Sequence, residues 1–239
     1  AGHNLSDVAG LVLAWGGALA GRLRPDRRHT YGWKRASILA AFVNALLLLV
    51  AMGSLAWEAL HRLQSPQPID GVTIIVVAAI GIAVNTATAL LFMRGRERDL
   101  NIRGAFLHMA ADALVSAGVV VAGVLALAFG WAWIDPAASL LIAAVIVAGT
   151  AGLLKQSVHL LFDGVPDSVA LRDVQALLEA LPGVSGVHDL HVWAMGTSQI
   201  ALTAHLVMPD GPADDAFLEA ATQQLHQRFE IAHVTLQTV

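Results

Sequence analysis

Two copies of the pattern His-x-x-x-Asp lie in apolar segments, at His3 to Asp7 and at His108 to Asp112. Residues four apart share one face of a helix, so each copy can direct an imidazole and a carboxylate to the same side. Two such helices facing each other supply two nitrogen and two oxygen ligands, a tetrahedral set that suits Zn²⁺ or a closely related ion. The spacing predicts one metal site shared by two helices.

The composition is that of a chain that crosses a membrane several times. Of the 239 residues, 56% are hydrophobic and 13% are charged, and the mean hydropathy is +0.66. A soluble domain carries about 25% charged residues. The chain has no cysteine, so any metal site must use His, Asp or Glu, and its net charge of −4 gives no indication of nucleic acid binding. A carboxylate inside a bilayer is costly, and such residues typically mark an ion path.

Apolar runs long enough to cross a bilayer, at roughly 20 residues each, dominate the first two thirds of the chain. They cover residues 1–22, 36–60, 69–93, 101–129 and 134–161. We therefore expect a polytopic α-helical transmembrane domain at residues 1–162. Asn44 and Asn85 are polar groups within these runs, and they either hydrogen-bond between helices or line an ion path.

The composition changes near Asp163, and residues 163–239 are expected to form a separate α+β domain. An amphipathic pattern predicts a helix at Leu171–Leu181, and a second helix is predicted at Phe217–Phe229. The predicted strands are Val187–Ala194, Gln199–Met208 and Val234–Val239. The order α-β-β-α-β indicates an open-faced, ferredoxin-like domain.

Basic residues are concentrated in alternate loops, which predicts the orientation. Residues 22–35 hold six Arg or Lys and residues 94–103 hold four, whereas 61–68 and 130–135 hold only Arg62. The positive-inside rule places the basic loops, and with them the C-terminal domain, in the cytoplasm. Asp112 then lies near mid-membrane, and Asp7 can meet it only if about ten further residues of its helix precede Ala1. We therefore expect one upstream helix, and a chain that starts inside a helix.

The chain resembles the cation diffusion facilitator family, in particular its zinc-type branch. The resemblance covers essentially the whole sequence, and four segments carry it: His3-x-x-x-Asp7, residues 25–32 (PDRRHTYG), His108-x-x-x-Asp112 and residues 186–193 (GVHDLHVW). It implies a homodimer of six-helix subunits, of which five helices are visible here, that exchanges cytoplasmic divalent metal for protons. It also implies the inner (plasma) membrane of a bacterium.

The resemblance assigns metal ligands residue by residue. His3, Asp7, His108 and Asp112 match the transport site. Asp26 and His29 match part of a loop site, but its third ligand position holds Trp33. The other interpretation of that pair is a solvated loop beside two arginines.

In the C-terminal domain, His188 and His205 match metal positions of some members of the family. Gln237 and Val239 stand where others have His or an acid, which favours a single weaker site over a two-metal cluster. His188 and His191 fall on opposite faces of a regular strand, so they are not expected to share an ion.

The predicted function is a secondary transporter that exports divalent cations, with Zn²⁺ first and Co²⁺ or Cd²⁺ next, in exchange for H⁺. Zn²⁺ is then substrate and a candidate regulatory ligand, and no catalytic cofactor is expected. A membrane metalloenzyme is disfavoured, because the chain has no His-Glu-x-x-His motif and four protein ligands leave no open position for water. Two alternatives stay open: a membrane-bound metal sensor without transport, and an Fe²⁺ or Mn²⁺ transporter of the same family.

Overall fold

The computed structural model describes most of the chain, and the ranges are residues 12–13, 15–64, 71–93, 95–97, 99–129, 133–211 and 213–239. His3 and Asp7 lie outside the described residues, so their place in a transport site stays a prediction. The described residues divide into two compact units. One takes the chain up to Ala20 together with Leu39–Ser157, and the other combines Gly21–Ile38 with Val158–Val239.

Long apolar helices make up the first unit. They are α1 (Ala36–Gln64), α2 (Gly71–Phe92), α3 (Leu100–Phe129) and α4 (Ile134–Leu161). Three described helices are long and apolar enough to cross a membrane, namely Ala36–Gln64, Leu100–Leu125 and Ile134–Leu161, and a shorter apolar helix covers Ala78–Phe92. These helices confirm three of the membrane-length runs predicted from residue 36 onward, and the predicted run at 69–93 forms the helix α2.

An acidic cap fixes where α3 begins. Asp99 Oδ1 accepts the backbone N–H groups of Asn101 at 2.7 Å and of Ile102 at 3.2 Å. A side-chain oxygen in this position satisfies amide groups that the helix itself leaves unpaired. With the start set there, His108 and Asp112 fall on successive turns deep within α3.

The apolar side chains at the centre of the first unit come from three helices. Leu48 and Met52 of α1 pack with Ala111 of α3 and with Ala143 and Ile146 of α4. Leu48 and Met52 are four apart and so lie on one face of α1. Ala111 precedes Asp112, so this core fixes the part of α3 that carries the His108–Asp112 pair.

The C-terminal residues form the predicted α-β-β-α-β fold, with elements α5 (Leu171–Glu179), β1 (Gly186–Gly196), β2 (Gln199–Val207), α6 (Asp215–Phe229) and β3 (Ile231–Thr238). The sheet order is β1-β2-β3, with β1 antiparallel and β3 parallel to β2. One face of the sheet packs against both helices through a core that includes Val174, Leu178, Leu202, Leu206 and Leu225.

A β-bulge in β1 overturns one expectation. His188 pairs with His205 and His191 pairs with Thr203, so three steps along β1 match two steps along β2. Asp189 and Leu190 therefore lie opposite the single residue Ala204, and Asp189 has a positive φ of 50°. Because His205 and Thr203 share a face, His188 and His191 also share a face, the one turned away from the helices. The prediction of opposite faces was wrong because the strand is not regular.

The basic loop at 21–38 belongs to the same compact unit as the C-terminal domain. Arg35 forms an ion pair with Asp163. The backbone N–H of Thr197, in the turn between β1 and β2, donates to Ser37 Oγ at 3.1 Å. The loop is therefore held against the C-terminal domain by specific polar contacts.

Candidate metal centre

His108 and Asp112 form a buried polar pair inside α3. Their exposed fractions are 5% and 3%, and His108 Nε2 lies 3.7 Å from Asp112 Oδ2. The i,i+4 spacing brings the imidazole and the carboxylate to the same side of the helix. A buried acid beside a buried imidazole offers one oxygen and one nitrogen ligand to a shared cation. This half of the predicted site therefore has the donor atoms and the proximity that metal binding needs.

The loop residues Asp26 and His29 lie side by side, but their groups are largely engaged in a turn. Asp26 Oδ1 accepts the backbone N–H groups of Arg28 at 2.7 Å and of His29 at 2.6 Å. Asp26 Oδ2 lies 3.3 Å from His29 Nδ1, and the His29 ring stacks on Trp33 with centroids 4.1 Å apart. The one cluster of three possible ligands found among the described residues lies elsewhere, at His188, Asp189 and His205.

The same turn lowers the pKa of the Asp26 carboxyl below 3.8. The backbone N–H of His29 is the largest cause, followed by the N–H of Arg28 and then by the His29 side chain, because all three favour the ionised carboxylate. The geometry thus accounts for Asp26 as the acceptor of a local turn.

Three side chains of the C-terminal domain meet with metal-binding spacing. His188, Asp189 and His205 each offer a ligand atom, and these atoms all lie within 4.8 Å of one another. Asp189 Oδ2 is 3.4 Å from His188 Nδ1 and 3.7 Å from His205 Nδ1. The two rings meet edge to face with centroids 5.0 Å apart. The structure brings together the two histidines predicted from the sequence and adds a carboxylate between them.

Asp189 is the ligand candidate that the sequence reasoning missed. In a regular strand its side chain would point to the face opposite His188. The bulge turns it toward the histidines, and its positive φ is one that Asp adopts more readily than most residues. An acid between two histidines within a strand pattern was the available signal, because Asp is disfavoured in regular strands.

Gln237 stands beside this cluster, because it pairs with His205 across β2 and β3. A neutral amide at this position contributes no charge to metal binding. The cluster itself is exposed, with side-chain accessibilities of 51% for His188, 64% for Asp189 and 35% for His205. These features fit a single site of modest affinity.

Comparison with known proteins places the whole chain in one family. Residues 1–162 match the family described as the cation efflux transmembrane domain, and residues 166–238 match the cytoplasmic domain of cation efflux proteins. The matches confirm an integral membrane protein with a cytoplasmic C-terminal domain, and the relatives come from bacteria, as expected for an inner-membrane protein.

Several characterised proteins are similar over nearly the full chain. The metal cation efflux system protein CzcD of Cupriavidus metallidurans is 36% identical over 238 residues, which cover 99% of this chain and 75% of that protein. The zinc transporter ZitB of Escherichia coli is 34% identical, covering 99% and 76%. The cadmium, cobalt and zinc/H(+)-K(+) antiporter of Bacillus subtilis is 32% identical, covering 99% and 78%.

Among solved structures, the metal-bound C-terminal domain of the CzcD transporter from Cupriavidus metallidurans is 36% identical. The match covers 30% of this chain and 99% of the solved domain, with a TM-score of 0.28. The family matches and the identities over 99% of the sequence agree with the resemblance of the motifs. The chain belongs to the cation efflux family, whose members are also called cation diffusion facilitators.

Proposed function

We propose that this protein exports divalent cations from the cytoplasm, with Zn²⁺ as the principal substrate, in exchange for protons. The transport site is formed by His3, Asp7, His108 and Asp112, and it opens alternately to the two sides of the membrane. The observation that carries the proposal is the buried His108–Asp112 pair within a helix apolar enough to span a bilayer. An acid in such a place is retained at a cost, and ion transport is its usual reason.

The donor set explains how protons are coupled to the metal. A carboxylate must be ionised and an imidazole neutral before either can bind a metal ion, so binding releases protons and acid displaces the metal. A site that faces the cytoplasm loads metal. When it opens to a more acidic exterior, it releases the metal and takes up protons. The exchange therefore needs no group beyond the four ligands.

The choice of metal follows from ligand type. Two imidazoles and two carboxylates suit Zn²⁺ in a tetrahedron, whereas Mn²⁺ prefers more oxygen ligands. The relatives support this choice, since they are named as a zinc transporter and as an antiporter of cadmium, cobalt and zinc. We therefore expect Zn²⁺ to be carried best, followed by Cd²⁺ and Co²⁺.

In the cytoplasmic domain, we propose that His188, Asp189 and His205 hold a regulatory Zn²⁺ in a homodimer. Two imidazoles and one carboxylate leave a fourth position open. The exposed location allows this position to be filled by water or by a group from the second subunit. We assign Asp26 and His29 a structural role in the turn, and we do not propose them as further ligands of the transported metal.

Zinc flux in proteoliposomes tests the proposal. The full-length protein is reconstituted around a zinc-responsive dye, with an acidic lumen and external Zn²⁺, and Cd²⁺, Mn²⁺ and Fe²⁺ are run in parallel. Zinc entry should accelerate with the acidity of the lumen and should alkalinise it. Zinc binding without flux would instead indicate a sensor, and faster Mn²⁺ or Fe²⁺ entry would overturn the choice of substrate.

A further inference from the structure

Asn44 is a buried amide in α1 with an unsatisfied oxygen. Its exposed fraction is 2%, and its Oδ1 has no hydrogen-bond partner in the part of the chain that the structure describes. Of the two interpretations of Asn44, the hydrogen bond between helices is therefore not made by this oxygen among those residues. A buried polar group without a partner is costly, and more so in an apolar environment, so its retention calls for a role.

Asn44 contacts the helix that carries the His108–Asp112 pair. A Cβ placed on Gly104 would lie 3.0 Å from Asn44 Nδ2, so the glycine is what allows the amide to approach α3. Gly104 precedes His108 by four residues and therefore lies on the same face of α3. The separation along the helix axis is about 6 Å, or one turn.

The direction of that turn is toward the cytoplasm. The cytoplasmic domain follows the end of α4, so the start of α3, which is antiparallel to α4 by connection, is also at the cytoplasmic side. The arginines of the loop before α3 indicate the same orientation. An ion that approaches His108 along this face of α3 from the cytoplasm passes Asn44 first.

We propose that the Asn44 amide oxygen is a transient ligand for the metal ion on its way to His108 and Asp112. A neutral oxygen can replace one water of a hydrated cation without first losing a proton. It adds no charge that would retain the ion, so it favours entry without trapping the ion, the balance that a conducting path requires.

Thr150 also has a buried oxygen without a partner among the described residues, but a threonine hydroxyl can turn toward a carbonyl of its own helix. The Asn44 oxygen needs a donor instead, and the backbone N–H groups in the middle of a helix are already paired with carbonyls of the same helix. The unsatisfied oxygen of Asn44 is therefore the stronger indication of a ligand that comes and goes.

This inference rests on the proposed function, and initial zinc flux against zinc concentration in proteoliposomes tests it. Asn44→Leu keeps the branched shape of the side chain and replaces the amide oxygen and nitrogen with methyl groups. It should raise KM for zinc at least about tenfold, as expected when one oxygen contact to a charged ion is lost, with unchanged zinc stoichiometry at saturation. Asn44→Asp should lower KM and kcat together, because an anionic ligand holds the ion longer.

Ser157→Ala is the matched control. Ser157 is fully buried in α4, but its hydroxyl already donates to Leu153 O at 2.8 Å, so its removal should leave KM unchanged. The inference is overturned if Asn44→Leu changes KM no more than Ser157→Ala does, or if Asn44→Asp behaves like Asn44→Leu. Asp112→Asn separates the two claims. If zinc flux survives this change, the proposed function itself is wrong. If Asp112→Asn abolishes flux while Asn44→Leu transports like the wild type, only the role of Asn44 is wrong.

Discussion

At the scale of single residues, the two metal-binding candidates differ in environment. His108 and Asp112 are almost fully buried, and ionisable groups in such a place are retained only for a purpose. His188, Asp189 and His205 are exposed, and their arrangement costs little. The sequence predicted His108 and Asp112 from spacing alone, since a helix makes i,i+4 contacts predictable. It could not predict Asp189, because a bulge depends on the pairing of two strands.

Asp189 should strengthen zinc binding by the cytoplasmic domain. In an Asp112→Asn background, which removes the proposed transport site, Asp189→Asn keeps an oxygen and tolerates the positive φ but loses the charge. Zinc affinity should fall at least about tenfold. Removing a group that only hydrogen-bonds to a metal ligand already costs about tenfold or more, and a ligand itself should cost no less. Isothermal titration of the full chain measures it. Asp210→Asn removes the same charge elsewhere in the domain, and equal affinities for the two variants would refute the assignment.

Asp26 should stay ionised throughout the pH range of transport. In the folded protein the pKa of this carboxyl is lowered from the ordinary value of 3.8. The stability that the ionised carboxylate gives to the turn is therefore fully present above the unfolded pKa, and it is lost only as the pH falls through the lowered value. Carboxyl ¹³C titration of the labelled protein measures this pKa. Most of the lowering should survive in His29→Ala, because the backbone amides are the larger causes. A pKa at or above 3.8 in the wild type would contradict the turn geometry.

At the scale of elements, the helices and strands were largely predictable and the contacts of the loops were not. The apolar runs gave the long helices, and the strands β1 to β3 differ from the predicted ones by a few residues at their ends. The placement of the basic loop depends on tertiary contacts such as Thr197 to Ser37, which no local pattern encodes. Side-chain periodicity reports the burial of apolar residues, whereas these contacts are made by polar side chains and backbone groups.

Gly196 should be essential to the packing of this loop. A Cβ at Gly196 would lie 2.9 Å from the Lys34 carbonyl oxygen, which also accepts a bond from Ser37 Oγ at 2.8 Å. Gly196→Ala must displace backbone, so it should destabilise the protein by about 1–3 kcal/mol. Gly186, in the same strand, has its nearest neighbour at 3.9 Å, and Gly186→Ala should cost less. Thermal unfolding compares the two, and equal midpoints would contradict the close approach.

At the scale of the whole molecule, orientation and family followed from charge distribution and motifs. The positive-inside pattern placed the C-terminal domain in the cytoplasm, and the family match agrees. The relation between the two halves of the proposed transport site could not be derived, because the packing of helices is not encoded in spacing. Asn44 illustrates the limit, since its contact with Gly104 became visible only in the structure.

The outer ends of α1 and α4 should be joined by an ion pair that serves stability and not transport. Arg62 Nη1 donates to Asp135 Oδ2 at 2.8 Å, and Asp135 is 7% exposed. Because Arg62 remains partly exposed and also contacts Glu58, Asp135→Asn should cost only about 1–2 kcal/mol. Thermal unfolding measures the loss, and unchanged stability would argue against the pair. Zinc flux per folded molecule should be retained.

The most direct test of the central claim compares two buried carboxylates in the membrane helices. Proton-driven zinc flux is measured in proteoliposomes for the wild type, Asp112→Asn and Asp135→Asn, each normalised to folded protein. Asp112→Asn should abolish flux because a ligand that must bind metal and then protons is lost, whereas Asp135→Asn should transport like the wild type. Undiminished zinc flux in Asp112→Asn would contradict the account.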